Sequence, residues 1–111
     1  MRILIVDDLL TNAKLLECML KNKATVLTVL SGQEAIDICG STEFDVILMD
    51  IMMPGMDGME TAIKIKENGF KGRMIFVTAY HEFAEPSMSD GIILKPVDQE
   101  VLLRKVFIDG R

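Results

Sequence analysis

Residues 46–60 read VILMDIMMPGMDGME and place a strand, an acidic residue and a helix start in close succession. The four apolar residues Val46–Met49 do not alternate with polar ones, which is typical of a strand buried on both faces of a parallel sheet. Asp50 ends this apolar run. Asp57 and Glu60 then have the spacing of a capping box, which predicts that a helix begins there. The stretch therefore predicts a strand–loop–helix unit of an α/β protein.

Similar units lie on both sides of this stretch. The five strand candidates are Ile3–Val6, Val26–Val29, Val46–Met49, Met74–Val77 and Ile92–Leu94. Helices are predicted from about Thr11 to Asn22, from the capping box of Ser31 and Glu34, from Asp57, and from the cap residue Asp98. Alternating strands and helices with short connections predict an open, doubly wound parallel sheet with helices on both faces.

The apolar pattern of the helices also predicts which side chains face the sheet. In the first helix they are Leu15, Leu16, Met19 and Leu20, and in the third they are Met59, Ala62 and Ile63. The pattern weakens between Ala79 and Asp90, where Pro86 interrupts the chain and only one or two helical turns fit. We therefore expect the fourth helix, before the last strand, to be short or missing.

Length and composition exclude several classes of protein. The 111 residues suffice for one domain, and half of them are apolar, which excludes intrinsic disorder. No stretch of about 20 apolar residues could cross a membrane, and no signal-peptide pattern precedes the first strand. A formal net charge of −5 argues against direct binding of nucleic acid. Cys18 and Cys39 lack metal-binding spacing, which favours a reducing, cytoplasmic compartment.

Polar residues follow four of the five predicted strands: Asp7 and Asp8, then Asp50, Thr78 and Lys95. Ligands of doubly wound sheets bind outside the carboxyl ends of the strands. Three carboxylates close together repel one another unless a cation joins them, and oxygen ligands suit Mg²⁺. A metal-bound carboxylate can attack phosphorus, while Lys95 and Thr78 would hold the phosphoryl oxygens. The set predicts a phosphoryl-transfer site on Asp50.

Four motifs carry a resemblance to a known family. They are ILIVDD (3–8), VILMDIMMPGMDGME (46–60), FVTA (76–79) and LKP (94–96). In this order they resemble the receiver domain of two-component response regulators, which is CheY-like. The resemblance covers essentially the whole chain. It implies a flavodoxin-like (βα)₅ fold with strand order 2-1-3-4-5. We expect one receiver domain over residues 1–111 and no output domain, because the chain stops after the last predicted helix.

The resemblance also implies a metal and phosphate site. Asp50 is the expected phosphoacceptor. Asp8 and Asp50 are expected to ligate Mg²⁺, Asp7 to assist through water, and the backbone carbonyl of Met52 to complete the protein ligands. Thr78 is then the switch hydroxyl that turns towards the phosphoryl group.

Four further positions complete this expectation. Lys95 is the expected counter-ion of the phosphoryl group, and Pro96 is expected to follow a cis peptide bond. Met52 and Tyr80 flank the expected path of attacking water and would tune hydrolysis. Ile92 departs from the family, because receivers usually carry Tyr or Phe there and turn that ring together with the switch hydroxyl.

The expected function is a signalling module. It would accept a phosphoryl group from a sensor histidine kinase or a histidine phosphotransfer protein and change its affinity for a downstream protein. Because the chemistry is confined to its own Asp50, we do not expect an enzyme acting on a separate substrate. The alternatives are a phosphate-independent receiver-like adaptor, a phosphatase of the haloacid dehalogenase kind and a flavin binder. Met52 stands where that phosphatase class needs a second acid, and Asp7 and Asp8 would repel a flavin phosphate.

Overall fold

The computed structural model describes residues 1–80 and 89–109, and in these ranges strands and helices alternate. The strands are β1 (Arg2–Val6), β2 (Thr25–Val29), β3 (Val46–Asp50), β4 (Arg73–Thr78) and β5 (Gly91–Leu94). The helices are α1 (Leu10–Leu20), α2 (Gly32–Cys39), α3 (Gly58–Glu67) and α4 (Gln99–Phe107). All five predicted strands are confirmed, and each extends one residue beyond its apolar run at one end or at both.

The five strands form one parallel sheet in the order β2-β1-β3-β4-β5, which confirms the predicted strand order. The pairing aligns Val6 with Met49, Asp50 with Val77, and Thr78 with Leu94. Because all strands run in the same direction, the residues that follow β1, β3, β4 and β5 meet at one edge of the sheet. This edge carries the candidate site.

Two apolar clusters cover the two faces of the sheet. Side chains of a strand point alternately to opposite faces, so neighbouring residues of β3 enter different clusters. On one face α2 and α3 pack against strand residues that include Leu4, Ile47, Met49 and Phe76. On the other face α1 and α4 pack against residues that include Ile5, Leu48, Ile75 and Ile93. Burial on both faces explains why the strand sequences are continuously apolar.

Three helices begin at the predicted cap residues. The side chains of Ser31, Asp57 and Asp98 accept hydrogen bonds from backbone N–H groups in the first turns of α2, α3 and α4, at 3.1, 2.8 and 3.0 Å. Each of these bonds satisfies an N–H group that lacks a partner within its helix. The helix α1 begins at Leu10 without a side-chain cap.

Two predictions about inward-facing residues are wrong. Leu15 is 51 % exposed, because α1 turns Ala13, Leu16 and Leu20 to the sheet. Ile63 of α3 is also exposed, and Ile65 takes the buried position on that helix. In both helices the apolar stripe is wider than the buried face, so the sequence pattern alone does not fix the rotation of the helix.

The predicted short or missing helix between β4 and β5 concerns residues 79–90, and residues 81–88 lie outside the described ranges. This expectation therefore stays a prediction, and α4 is the helix that follows β5. Among the residues that the structure describes, no helix has the length and apolar character needed to cross a membrane.

The orientation of α1 can be tested by one substitution made at two positions. Leu16→Ala should lower the free energy of unfolding by about 2–5 kcal/mol, because it leaves a cavity where this α1 side chain is 3 % exposed. Leu15→Ala should cost less than about 1 kcal/mol, since half of that side chain already faces solvent. Urea denaturation followed by circular dichroism measures both. Equal losses would contradict this orientation of α1.

Candidate functional site

Three carboxylates meet at the carboxyl edge of the sheet. Asp7 and Asp8 follow β1, and Asp50 is the last residue of β3. One oxygen from each of the three lies within 4.8 Å of the other two. Asp7 and Asp50 are buried at 2 % and 6 % exposure, while Asp8 is half-buried. The structure therefore brings together the three acidic residues that the sequence predicts.

Lys95 supplies the positive charge of this cluster. Its Nζ lies 3.2 Å from Oδ2 of Asp7 and 3.4 Å from Oδ1 of Asp50. The backbone N–H of Lys95 donates to the carbonyl of Thr78 at 2.9 Å, which fixes the end of β5 beside β4. The Lys95–Pro96 peptide bond is cis. One ammonium group thus bridges two of the three carboxylates.

The second oxygen of Asp7 has a backbone partner. Oδ1 of Asp7 accepts a hydrogen bond from the N–H of Leu9 at 2.9 Å, while Oδ2 faces Lys95. Both oxygens of Asp7 are therefore engaged by the protein. The same bond ties the start of α1 to the site, where α1 has no cap of its own.

The protonation of Asp50 reflects this crowding. Burial raises the pKa of the Asp50 carboxyl from its ordinary value of 3.8 to about 6. The Lys95 ammonium opposes the increase, and the charges of Asp7 and Asp8 add to it. The positive charge of Lys95 therefore does not offset the increase in the pKa of Asp50 that burial and the two neighbouring carboxylates cause. An additional cation would favour the ionised form of Asp50.

These residues fit a divalent cation. Three carboxylates converge within the span of one small ion, and carboxylate oxygens are the hard ligands that Mg²⁺ prefers. A cation here would also offset the burial and the neighbouring carboxylates that raise the pKa of Asp50. Met52 lies two residues beyond β3, and its side chain is 54 % exposed. Its backbone carbonyl remains a predicted ligand.

Thr78 lies at the end of β4 with its side chain fully buried. Its Oγ1 accepts a hydrogen bond from the backbone N–H of Tyr80 at 3.0 Å. Tyr80 itself is half-exposed. Ile92, at the position where an aromatic ring was expected from the resemblance, is partly buried and packs against the cluster beneath α2 and α3.

Sequence reasoning missed one residue at the site, Gly58. Its backbone N–H donates to the carbonyl of Ile51 at 2.7 Å, and it is buried against the peptide that follows Asp50. The available signal was a glycine at the first helical position, directly after the cap residue Asp57. A glycine within a helix lowers the stability of that helix, so its presence at this position suggests that a side chain would not fit there.

Comparison with known proteins gives consistent matches. The family model of the response regulator receiver domain matches residues 3–107. The nitrate/nitrite response regulator protein NarL of Escherichia coli is 36 % identical over 110 residues, which is 92 % of this chain and 51 % of NarL. The chain thus spans about half the length of this curated relative.

Two solved structures show the same fold. The response regulator TrrA of Thermotoga maritima, in complex with Mg²⁺–BeF, is 30 % identical with a TM-score of 0.86, covering 95 % of each chain. The N-terminal domain of a three-domain response regulator protein from Carboxydothermus hydrogenoformans is 33 % identical with a TM-score of 0.84. That match covers 96 % of this chain and 90 % of the other.

The unfavourable charge on Asp50 has a measurable effect on stability. The pKa of Asp50 is higher in the folded chain than in the unfolded one, so binding of a proton to Asp50 stabilises the fold. This stabilisation is complete below about pH 4 and is lost as the pH rises through about 6. Asp50→Asn should therefore raise the free energy of unfolding without metal at pH 8 by about 1–3 kcal/mol. The gain should shrink at pH 5.

Urea denaturation at both pH values, with and without Mg²⁺, measures this difference. Asp98→Asn is the matched control, because it removes an exposed cap carboxylate that is not one of the three site carboxylates and keeps a residue that caps helices well. A gain for Asp50→Asn that is the same at pH 5 and pH 8 would contradict the electrostatic explanation. At pH 8, Mg²⁺ should reduce the difference in free energy of unfolding between Asp50→Asn and the wild type, because it stabilises only the wild type with its Asp50 carboxylate.

Proposed function

This chain belongs to the response regulator receiver domain family, and we propose that it accepts a phosphoryl group on Asp50 in a Mg²⁺-dependent reaction. The family is one of signalling domains rather than enzymes, and its members are phosphorylated by histidine kinases or phosphotransfer proteins. The observation that carries the proposal is the convergence of Asp7, Asp8 and Asp50 around Lys95. Residues 1–111 would act together as one receiver domain.

Asp8, Asp50 and the Met52 carbonyl would hold the metal. Asp7 would contribute through water, because its two oxygens already face Lys95 and the N–H of Leu9. Bound Mg²⁺ would supply positive charge to the oxygens of the incoming phosphoryl group. The complex of TrrA with Mg²⁺–BeF supports this assignment, as does the raised pKa of Asp50.

Transfer would take place between a phosphohistidine and Asp50. A carboxylate oxygen of Asp50 attacks phosphorus and the bond from phosphorus to the donor nitrogen breaks. The donor ring keeps the electron pair of that bond and takes up one proton from solvent, so that it leaves as neutral imidazole. Lys95 lies 3.4 Å from Oδ1 of Asp50, close enough to follow the negative charge to the phosphoryl oxygens. Water later cleaves the acyl phosphate, releases inorganic phosphate and restores the carboxylate.

A protein phosphodonor fits the surface beside the site. Leu10 and Leu15 of α1 are half-exposed. A hollow of about 140 Å³ is lined by Leu15 and by residues that include Asn12, Lys95 and Val97. Exposed apolar side chains at the mouth of a charged site suit a partner that buries them while it presents a histidine.

The response would begin at Thr78. Its hydroxyl now accepts from the Tyr80 N–H, and donating to a phosphoryl oxygen would draw it away from that amide. Ile92 has no ring to follow the hydroxyl, so the signal would pass through the backbone at Tyr80 instead. Its readout would be a changed affinity for a downstream protein.

The first experiment is intact mass measurement after incubation with Mg²⁺ and acetyl phosphate. We expect a gain of one phosphoryl group in the wild type. Asp50→Asn should show none, because it removes the nucleophile, and chelation of the metal should abolish the gain in the wild type. Asp98→Asn should be phosphorylated normally, since its exposed carboxylate is not among the three at the site and asparagine keeps the helix cap.

Beryllofluoride with Mg²⁺ provides the second arm, measured by fluorine NMR. Binding by the wild type and not by Asp50→Asn would support the phosphoacceptor role even where a small donor fails. Failure of both acetyl phosphate and beryllofluoride would contradict it and favour the phosphate-independent adaptor.

The lifetime of the phosphorylated form tests the exposed residues beside the site. Met52 and Tyr80 are each about half-exposed and are proposed to hinder the approach of water. Met52→Asn and Tyr80→Ala should each shorten the lifetime several-fold, because the first offers water a polar partner and the second removes a bulky ring. Loss of phosphate followed by intact mass measures this. A lifetime equal to that of a Leu27→Ala control, on the exposed edge strand β2, would contradict the proposed role.

A further inference from the structure

The first residue of α3 lies in direct contact with the peptide that follows Asp50. A Cβ atom on Gly58 would lie 2.0 Å from the carbonyl oxygen of Asp50 and 2.7 Å from Cα of Ile51. Both are backbone atoms at the end of a buried central strand, so they cannot rotate away as a side chain can. The Gly58 N–H also donates to the Ile51 carbonyl at 2.7 Å.

This contact joins α3 to the part of the chain that carries the proposed metal ligands. The Asp50 carboxylate and the Met52 carbonyl lie on either side of Ile51. A side chain on residue 58 would displace either this segment or the first turn of α3 by about 1 Å, and shifts of that size are costly at a catalytic site. Mg²⁺ tolerates little displacement, because it requires near-octahedral ligands at about 2.0–2.1 Å.

We propose that Gly58 is a positioning residue for the phosphoacceptor site. By lacking a side chain it lets α3 begin directly against the Asp50–Ile51 peptide, and this holds the Asp50 carboxylate and the Met52 carbonyl in place relative to Asp7 and Asp8. The inference rests on the proposed Mg²⁺-dependent function and adds a residue that touches neither metal nor phosphate. The Asp57 cap secures the same turn through its bond to the Glu60 N–H at 2.8 Å.

Gly72 offers a matched control at the opposite edge of the same sheet. A Cβ atom there would lie 2.6 Å from the carbonyl oxygen of Asp45 and 2.8 Å from that of Phe44. It too would press on backbone, but at the start of β3 rather than at its end. Gly58→Ala and Gly72→Ala therefore both press on backbone beside β3, more severely at Gly58, and only the first does so at the proposed site.

The experiment measures Mg²⁺ affinity by calorimetry and beryllofluoride uptake by fluorine NMR, at a temperature where circular dichroism shows every variant folded. Gly58→Ala should weaken Mg²⁺ binding by about tenfold or more, as do losses of residues that orient metal ligands, and should reduce beryllofluoride uptake. Gly72→Ala should lower the melting temperature and keep the wild-type Mg²⁺ affinity. Wild-type affinity in Gly58→Ala, or an equal loss in both variants, would overturn the proposal.

A second set of variants applies if Gly58→Ala does not fold. Asp57→Ala removes the cap and loosens the first turn of α3, whereas Asp57→Asn removes the same charge and keeps a capping side chain. We expect weaker Mg²⁺ binding in Asp57→Ala than in Asp57→Asn, and none of this loss in Asp98→Ala, which removes the cap of α4. Equal affinities of the two Asp57 variants would overturn the proposal.

Measurements on the wild type separate the proposed function from the role of Gly58. A wild type that binds Mg²⁺ but takes up neither phosphate nor beryllofluoride overturns the proposed function, while the glycine comparison still decides the role of Gly58 by Mg²⁺ affinity. A wild type that binds no Mg²⁺ overturns both. A fully active wild type with an unchanged Gly58→Ala overturns only the positioning role.

Discussion

Repulsion among three carboxylates at the end of a buried sheet is the constraint on which the site depends. Parallel strands bring their carboxyl ends to one edge, and the chain places Asp7, Asp8 and Asp50 there with one lysine. Burial weakens screening by water, so each charge acts on its neighbours more strongly than on an open surface. Burial, together with the charges of Asp7 and Asp8, raises the pKa of Asp50 despite the nearby Lys95. Such a site lowers the stability of the metal-free fold, and a bound cation would relieve the repulsion among its carboxylates.

Much of this arrangement could be predicted from the sequence, because two independent patterns agree. The continuous apolar runs identify strands covered on both faces, and the polar residues after them identify the functional edge. The strand order confirms that these ends converge. The capping residues Ser31, Asp57 and Asp98 were equally informative, since short polar side chains before apolar stripes have few other roles.

The features that the sequence did not predict depend on tertiary geometry. The apolar pattern predicts that Leu15 and Ile63 face inward, but both are exposed, because the rotation of each helix depends on how it packs on the sheet. Gly58 escaped notice because its role comes from an absent side chain, which becomes visible only when the Asp50 carbonyl is seen beside it. The bond from the Tyr80 amide to Thr78 is likewise set by the backbone and leaves no trace in residue type.

The two flanks of Asp50 are held in different ways, and this difference bears on how a signal would leave the site. On the α3 side, Gly58 is in backbone contact with Asp50 and donates to Ile51, and Ile51 is itself buried. On the β4 side, the Thr78 hydroxyl is joined to the following segment by the Tyr80 amide. A hydroxyl can rotate to a new partner at the cost of one hydrogen bond, about 1 kcal/mol, whereas a packed backbone cannot yield without a larger rearrangement. We therefore expect a change of charge on Asp50 to be transmitted through Thr78 and Tyr80, while α3 serves as the fixed support against which that change is made.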